Sequence, residues 1–555
     1  MTHGADTLRW VIKKIRRRVP AVLLLTLVSI FSAVFSVMFA LGTKGVIDAA
    51  ILGDKSNFLR ACIVQAAVIA GILLCSTLNR HLRERIHAKL DKDWKIELLS
   101  VILHSDYSAA SVYHSGELIN RLNNDVRILD DGIANLLPNL CSMITKLVAA
   151  FAVLSSLTPT FALLLLSGGL IVVIITAILR RKLKTLHKKV SEADGQVSSI
   201  LQETLEKLLI VQAMDISHEM ERRVGQRLDR RFDLYRKRKN VSLLANSCIT
   251  IMFYVAGFVA LVWCAAGILA GTITYGTMTA VTQLVNQLQN PIVGLSGLLP
   301  QYIAMSAAAE RLQELDQLPK TASCRQDDPQ KLYSQMDNIV AEKICFTYDR
   351  DSILDNASFS LEKGNFYAIT GPSGTGKSTL LKLMLGIYTP NHGRFYINSG
   401  TKQVLLDRST RRLFAYVPQG NLLFSGTIRD NLLVIKPEAT EEQINEAVYV
   451  SAMDQFLPQL PNGLNTVLGE AGAGLSEGQA QRLSIARAVL GGAPILLLDE
   501  CTSALDVQTE ELVLNRIREL KNKTCIAVTH RPAAENICDG QILMDSGKIC
   551  MKLPQ

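Results

Sequence analysis

The sequence predicts a multidomain protein in which an all-α transmembrane domain of six helices, with long cytosolic helical extensions, precedes an α/β domain. Three observations carry this prediction. Long apolar runs are confined to about the first 300 residues. The polar connections between these runs alternate between short and very long. From Asn338 onward, short β-rich runs alternate with helical ones, a pattern typical of an α/β domain.

Length and composition agree with a membrane part joined to a soluble part. The 555 residues exceed the size of one ordinary domain. Hydrophobic residues make up 48% of the chain and its mean hydropathy is +0.22, which is high for a soluble protein. The eleven cysteines lie in or near the apolar runs or in the C-terminal part, without the spacing of a zinc site. We therefore expect reduced thiols in a protein that faces the cytosol.

The net charge of +9 raises the question of nucleic-acid binding. However, the basic residues cluster at 13–18, 180–184 and 236–239, where they flank apolar runs. Basic residues at one side of membrane spans are the positive-inside signal. No basic patch is interleaved with aromatic residues, as single-strand binding requires. We interpret the charge as membrane topology and exclude a nucleic-acid partner.

Six apolar runs are long enough to cross a bilayer, which takes roughly 20 residues of helix. We place them at 19–43, 58–78, 133–157, 160–179, 243–270 and 275–299. The first follows a basic start without a small-residue cleavage site, so we expect a retained span rather than a signal peptide. Ahead of it, Trp10, Val11 and Ile15 are separated from the basic residues around them, which predicts an interfacial helix on the membrane surface.

The connections after spans two and four are about fifty to sixty residues long, with helical periodicity and many Arg and Lys residues. Both therefore belong in the cytosol, together with both termini and the C-terminal domain. We expect helical extensions that project toward a cytosolic element. Two merely solvated helical hairpins are the alternative.

Span six carries a stripe of amides. Gln283, Asn286, Gln287 and Asn290 recur at helical spacing, and Asn246 on span five is a possible companion. Polar residues inside a membrane are costly and often mark a pathway, which favours a hydrated cavity for a transported molecule. Hydrogen bonding between helices of the bundle is an equally good explanation.

A phosphate-binding loop lies after the strand predicted at 366–370. The segment 371–379 fits the pattern G-x-x-x-x-G-K-[ST] without mismatch, and a helix is predicted from 378 to 387. Strand, glycine loop and helix in this order place phosphates at a helix N-terminus. Lys377 can reach the β- and γ-phosphates, and the Ser378 hydroxyl can bind Mg²⁺. The candidate nucleotide-binding residues of the loop are Gly371, Ser373, Gly374, Gly376, Lys377, Ser378 and Thr379.

Two carboxylates end an apolar strand predicted at 495–499. Asp499 suits Mg²⁺ coordination through water, and Glu500 suits polarising a water molecule that attacks the nucleotide. Together with the phosphate-binding loop, they predict binding and hydrolysis of a nucleoside triphosphate.

About a hundred residues after the loop, Leu475-Ser-Glu-Gly-Gln479 resembles the signature of ABC ATPases, normally LSGGQ, with Glu477 in place of the first glycine. A helical run is predicted to follow at 480–490. Other elements resemble that family in the same order. The resemblance assigns Tyr348 to adenine stacking, Gln419 to the loop that contacts Mg²⁺, Asp506 to the D-loop, and His530 to the switch histidine.

With six spans ahead of it, the chain resembles an ABC exporter half-transporter over nearly its full length. The resemblance implies an α/β P-loop ABC ATPase domain with a helical subdomain, ATP and Mg²⁺ as cofactors, and Glu500, His530 and Gln419 as catalytic residues. We expect domains at 1–318 (transmembrane), 319–337 (linker) and 338–555 (nucleotide-binding). Metal contacts would come from Ser378, Gln419 and Asp499. Segments 116–125 and 203–219 resemble the family's intracellular loops, which implies coupling helices near 106–113 and 214–219.

The family works as a dimer, in which one chain's signature closes over ATP held by the other chain. Ser476, Gly478 and Gln479 would make these contacts. We therefore expect a second half-transporter as partner, identical or different, and an active site because Gly478 is retained. The carboxylate of Glu477 beside a phosphate-binding helix end is expected to weaken ATP closure somewhat.

The function implied is ATP-driven primary active transport by alternating access, most readily export of a partly polar amphipathic cargo such as a peptide or a drug-like compound. A lipid flippase and an exporter-fold importer of metal chelates are alternatives, and an ATP-gated channel or regulator is a further one. We expect an integral protein of the lipid membrane, in a bacterial plasma membrane, with both termini and the ATPase domain cytosolic.

Overall fold

The computed structural model describes residues 2–319, 328–348, 351–400, 402–420, 423–469, 472–520, 522–545 and 547–552. Side chains at 2–5, 164–181, 249, 296, 299, 532 and 533 lie outside that description. The chain divides into two compact units, Met1–Ser100 with Ser115–Gln317, and Val101–His114 with Leu318–Gln555. Residues 101–114 thus group with the C-terminal part, although they follow the second predicted span.

The first half of the chain is helical in the residues described. The helices are α1 Thr2–Lys14, α2 Val19–Ile51, α3 Lys55–His104, α4 Tyr107–Ala110, α5 Ser115–Asn120, α6 Val126–Leu157, α7 Pro159–Glu206, α8 Leu208–Ala213, α9 Ser217–Leu269 and α10 Tyr275–Asp316. A π-helical turn, Arg121–Asp125, joins α5 to α6.

Three of these helices, α3, α7 and α9, are far longer than a bilayer is thick. The 50 residues of α3 extend about 75 Å at 1.5 Å per residue, against roughly 30 Å of hydrocarbon. The predicted cytosolic extensions are therefore continuations of the spanning helices. Among the described residues, five helical segments are long and apolar enough to span, namely α2, α3, Ser115–Leu157, α9 and α10. The predicted span at 160–179 falls in α7, and most side chains of that range lie outside the described residues.

Inside the N-terminal unit, α2, α6, α7, α9 and α10 share an apolar core that includes Val37, Leu154, Phe161, Cys264 and Leu284. Small residues such as Ala40, Ala150 and Ala260 are fully buried there, which lets the helices approach closely.

Charged groups at the π-helical turn are paired with the end of α10. Asp125, which is 1% exposed, accepts hydrogen bonds of 2.8 and 2.6 Å from Arg311. Arg121 donates to Glu117, to Glu314 and to the Arg311 carbonyl. Since breaking a buried pair costs far more than the pair contributes, this network holds the turn on α10.

The N-terminal helix α1 packs against α3 and α10. The Trp10 and Trp94 rings are 5.3 Å apart, and Trp10 Nε1 donates a 2.9 Å hydrogen bond to Asp316. Lys14 Nζ bridges Glu97 at 2.6 Å and Asp316 at 2.7 Å. Trp10 and Lys14 therefore join the ends of α3 and α10.

The second unit contains the remaining elements. Its helices are α11 Pro329–Gln335, α12 Lys377–Met384, α13 Ile428–Leu433, α14 Glu441–Val450, α15 Glu477–Leu490, α16 Val507–Arg518 and α17 Pro532–Ile537. Its strands are β1 Asn338–Tyr348, β2 Asp351–Glu362, β3 Phe366–Thr370, β4 His392–Ser399, β5 Lys402–Leu405, β6 Phe414–Val417, β7 Gly426–Thr427, β8 Val467–Leu468, β9 Ile495–Asp499, β10 Thr524–Val528, β11 Gly540–Asp545 and β12 Lys548–Lys552.

The main sheet has the strand order β12-β11-β3-β10-β9-β6. Its strands run parallel except β12, which pairs antiparallel with β11. Strands β3, β9 and β10 are buried along their whole length, as expected when both faces of a parallel sheet are covered. An antiparallel sheet, β2-β1-β4-β5, packs on one face and shares the core around Ile339, Leu361, Ile369, Leu380 and Ile526.

The expected helical subdomain is formed by α13, α14 and α15. Its core is separate and includes Ile428, Leu432, Ile444, Leu483 and Leu490. The helix predicted at 480–490 in fact begins at Glu477, because Ser476 caps it. Glu477 and Gly478 therefore belong to its first turn.

The coupling segments differ from expectation in one case. The first contains α4, within the predicted 106–113, with Asp106 as its N-cap. At the second, the helix is α8 at Leu208–Ala213, and the predicted range 214–219 contains the break before α9. Asp215, in the left-handed region at φ +52°, ends α8 and explains the shift.

Candidate nucleotide site

Four parallel strands of the main sheet place the candidate residues at one edge. In order across the sheet, β3, β10, β9 and β6 are neighbours, so their carboxyl ends lie side by side. The phosphate-binding loop follows β3, His530 comes two residues after β10, Asp499 ends β9, and Gln419 comes two residues after β6. The carboxyl edge of a parallel sheet is where such folds bind ligands.

The loop geometry depends on glycine at two points. Gly371 has φ +149°, and a Cβ there would lie 2.2 Å from the Met544 carbonyl oxygen. Gly376 has φ +94°, and a Cβ there would lie 2.2 Å from Ile353 Cγ2. A side chain at either position would displace the loop from the sheet. The loop ends at Lys377, the first residue of α12. The backbone N–H groups at the end of the loop therefore lie at a helix N-terminus.

Lys377 lies across this loop. Its side chain is largely buried, and Nζ donates 2.9 Å hydrogen bonds to the carbonyl oxygens of Gly371 and Pro372. Burial lowers the pKa of Lys377, and the carboxylates of Glu500 and Asp499 oppose that shift. The ammonium is thus placed inside the loop, where phosphate charge would be neutralised.

Asp499 is the buried carboxylate of the site. It is 1% exposed; Ser378 Oγ donates to its Oδ1 at 2.8 Å, and the Tyr416 hydroxyl donates to its Oδ2 at 2.9 Å. Burial raises the pKa of Asp499, and these two hydrogen bonds counter the rise. A hydroxyl and a carboxylate in contact are the hard oxygen ligands that Mg²⁺ prefers, and a buried carboxylate gains most from a cation. The residues therefore fit Mg²⁺, which Ser378 and Asp499 would hold.

The Glu500 carboxylate contacts two other candidate residues, Gln419 and His530. Gln419 Nε2 donates to Glu500 Oε2 at 2.7 Å, and His530 Nε2 lies 3.3 Å from Glu500 Oε1. The Glu500 backbone has φ +48°, unusual for glutamate, and its N–H donates to the Val528 carbonyl at 3.2 Å. Such a conformation costs about 1–3 kcal/mol and is typical of functional sites. Gln419 contacts the carboxylate here rather than the Ser378–Asp499 pair.

Tyr348 stands at the end of β1 and is 36% exposed. Its ring packs edge-on against Phe346, at 4.9 Å, and Tyr388, at 5.3 Å. Tyr388 in turn contacts Tyr107 of α4 at 5.9 Å. The ring predicted to stack on adenine is therefore one ring contact away from the segment predicted to be the first coupling helix.

That segment has further contacts within the same unit. The Asp106 N–H donates to the Pro319 carbonyl at 3.0 Å, and Arg408 Nη1 donates to the His104 carbonyl at 3.2 Å. Neither Arg408 nor Tyr388 was predicted, because nothing in a local sequence pattern shows which residues of the connections between helices and strands contact a distant segment.

The signature segment leads into α15. Ser476 and Gln479 form a reciprocal capping box, with Ser476 Oγ accepting from the Gln479 N–H and Gln479 Oε1 accepting from the Ser476 N–H. Glu477, the first helical residue, is exposed, where a carboxylate interacts favourably with the helix dipole.

The signature helix is joined to the D-loop of the same chain. Gln481 Nε2 donates to Ser503 Oγ at 3.1 Å, and its Oε1 accepts from the Ala504 N–H at 3.0 Å. A Cβ on Gly478 would lie 2.9 Å from the Ala504 carbonyl oxygen. Asp506 caps α16 by accepting from the Thr509 N–H. Within one chain, then, Ser476, Gln479 and Asp506 serve as helix caps.

Tyr416 is a site residue that sequence reasoning missed. It lies three residues before Gln419, on β6. Only the sheet order reveals its role, because β6 pairs with β9 in the register Val417 to Leu498, next to Asp499.

Comparison with known proteins adds two family matches. The model of the ABC transporter transmembrane region matches residues 22–292, and the model described as ABC transporter matches residues 354–503. The two matches together cover most of the chain, the first over the predicted membrane part and the second over the α/β part.

Curated relatives include the mycobactin import ATP-binding/permease protein IrtB of Mycobacterium tuberculosis strain H37Rv, 42% identical over 212 residues. That match covers 38% of this chain and 36% of IrtB, about a third of the relative's length. The cyclolysin secretion/processing ATP-binding protein CyaB of Bordetella pertussis strain Tohama I is 26% identical over 97% of this chain and 75% of its own.

Among solved structures, a bacterial Atm1-family ABC exporter with ATP bound has a similar fold. The TM-score is 0.78 at 24% identity, with 97% of this chain and 94% of the other covered. At this identity the similarity establishes the fold.

Proposed function

Since the chain belongs to the ABC transporter family and joins one membrane region to one ATPase region, as exporter-type half-transporters do, we propose that it drives transport across a membrane by binding and hydrolysing ATP. The observation that carries the proposal is the convergence of Gln419 and His530 on the two oxygens of Glu500, beside the phosphate-binding loop. A general base needs such orientation toward the water it activates.

In the proposed reaction, the loop of Gly371–Gly376 and the N-terminus of α12 bind the phosphates of ATP, and Lys377 neutralises their charge. Mg²⁺, when bound, supplies charge compensation on the phosphate oxygens. Ser378 and Asp499 would hold it. Glu500 orients the attacking water and accepts its proton, while His530 and Gln419 hold the Glu500 carboxylate in place. Tyr348 supplies the exposed ring face for adenine.

One chain offers one signature and one loop, so we propose that two chains complete two ATP sites. Ser476, Gly478 and Gln479 of each chain would face the ATP of the other. The cap geometry supports this, because it fixes the first turn of α15 with its N–H groups directed out of the helix end. The partner is a second half-transporter, identical or different.

Transmission is proposed to run through α4. Because α3 ends at His104 and α4 begins at Tyr107, the segment that contacts Tyr388 and Arg408 is continuous in the chain with a membrane helix. Movement of the ATPase part on ATP closure would therefore pull on α3 and reorient the membrane cavity.

The cargo is proposed to be partly polar and amphipathic, such as a peptide or drug-like compound. Gln287 Oε1 accepts from Ser36 at 3.3 Å, and Gln283 Oε1 is buried without a hydrogen-bond partner among the described residues. A buried amide oxygen without a partner is costly, which supports a polar group of the cargo as its partner. Import of metal chelates is a second candidate, which the similarity to the mycobactin import protein favours. We further propose a bacterial plasma membrane with the ATPase part and both termini cytosolic.

The test is transport by the purified chain reconstituted in lipid vesicles, supplied with ATP on the ATPase side and screened against peptides, lipids and siderophores. We expect ATP-dependent accumulation of one class against its gradient, which Lys377→Ala abolishes. Flux that only follows the gradient would identify a channel instead. The absence of any ATPase activity with Mg²⁺ would contradict the proposal as a whole.

A further inference from the structure

The side chain of Tyr416 lies at the nucleotide site, and nothing in the proposed reaction uses it. Its hydroxyl donates to Asp499 Oδ2 at 2.9 Å, while Ser378 Oγ donates to Oδ1 at 2.8 Å. Each oxygen of a carboxylate that is 1% exposed is thus held by a hydroxyl from a different element, β6 on one side and α12 on the other.

We propose that Tyr416 is a positioning residue for Mg²⁺, acting through Asp499. The inference rests on the proposed function. Its hydroxyl fixes the rotation of the Asp499 carboxylate about the Cβ–Cγ bond, so that Oδ1 stays beside the Ser378 hydroxyl. The proposed effect of Tyr416 on Mg²⁺ is indirect, through its hydrogen bond to Asp499.

The position of Tyr416 suits this role because it lies on a strand. β6 and β9 are hydrogen-bonded neighbours, with Tyr416 opposite Leu497 and Val417 opposite Leu498. A donor on the sheet is placed more rigidly than one on a loop. Hydrogen bonds to a ligating carboxylate commonly contribute 10- to 100-fold to metal affinity.

The direct test is the Mg²⁺ requirement for nucleotide binding by the full-length protein in lipid nanodiscs. The probe is a fluorescent, non-hydrolysable ATP analogue, titrated with Mg²⁺ and separately in EDTA. For Tyr416→Phe, which keeps the ring and removes the hydroxyl, we expect about a tenfold higher Mg²⁺ concentration at half-maximal binding. Binding in EDTA and the unfolding temperature should match the wild type. Tyr416→Met, which also lacks the hydroxyl, should show the same shift.

The matched control is Tyr396→Phe, which removes a tyrosine hydroxyl from β4, away from Asp499, and should leave the Mg²⁺ titration unchanged. An unshifted titration for Tyr416→Phe would overturn the inference. So would equal losses in Mg²⁺ and in EDTA, because they would show a merely structural role. Lys377→Ala separates the two proposals: if it binds the analogue as well as wild type does, the proposed ATP site is wrong, whatever Tyr416 does.

Discussion

Gly478→Ala tests whether the signature glycine is required by packing inside its own chain. An added Cβ would lie 2.9 Å from the Ala504 carbonyl oxygen and 3.3 Å from Leu505 Cδ2. The first contact is with backbone, so the signature helix and the D-loop must move apart. Overpacking of this kind typically costs 1–3 kcal/mol. In the opposite direction, replacing glycine by alanine within a helix stabilises the folded state by about 1 kcal/mol.

The two effects leave a net change in stability between zero and about 2 kcal/mol of destabilisation. Displacement also disturbs the two hydrogen bonds that join Gln481 to Ser503 and Ala504. We therefore expect a large fall in ATPase activity together with only a small fall in the unfolding temperature. The assays are steady-state ATPase activity and thermal unfolding of the purified full chain, with Gly195→Ala as the control, because an added Cβ at this exposed position of α7 meets no atom within 4 Å. A Gly478→Ala variant that is more stable than wild type and hydrolyses ATP at the same rate would refute the packing argument.

Three other substitutions test the signature segment and the charge network at the π-helical turn. Glu477→Gln should strengthen ATP binding a few-fold at low salt and less at high salt, because a carboxylate near phosphates is removed; unchanged binding and turnover would contradict this electrostatic effect. Ser476→Ala should destabilise by about 1 kcal/mol and reduce ATPase activity, whereas Thr440→Ala, which removes the equivalent cap of α14, should lose similar stability and keep the activity. Arg311→Met, which leaves the buried Asp125 carboxylate without its partner, should cost about 3–5 kcal/mol in thermal unfolding, against roughly 0–1 for the exposed Arg223→Met; similar losses would mean that the network around the π-helical turn is unimportant.

Most of the architecture was predictable because each part has a local signal. Apolar length marks the spans, and β3 coincides with the strand predicted before the phosphate-binding loop at 366–370. Asp499 and Glu500 were identifiable from an apolar strand ending in two carboxylates. Parallel strand ends meet at one edge, so the residues after β3, β9 and β10 had to come close.

What escaped prediction depends on contacts between distant segments. Tyr416 is recognisable as a partner of Asp499 only when β6 is known to pair with β9. Tyr107 and Tyr388 meet across nearly three hundred residues. The short helix α8 ends before the range 214–219 predicted for the second coupling helix, because Asp215 adopts a left-handed conformation that a single sequence rarely reveals. Helix α15 begins at Glu477, before the start that the apolar pattern indicates, because Ser476 caps it.

The central claim is that Glu500 is the base for ATP hydrolysis, because Gln419 and His530 both contact its carboxylate. Its most direct test is single-turnover ATP hydrolysis by Glu500→Gln. The amide keeps the size of the side chain and removes the base. Hydrolysis should fall by about 10²- to 10⁴-fold while Mg²⁺-dependent ATP binding is retained and nucleotide becomes trapped. Undiminished turnover, or loss of ATP binding together with hydrolysis, would contradict the assignment of Glu500 as the base that drives transport.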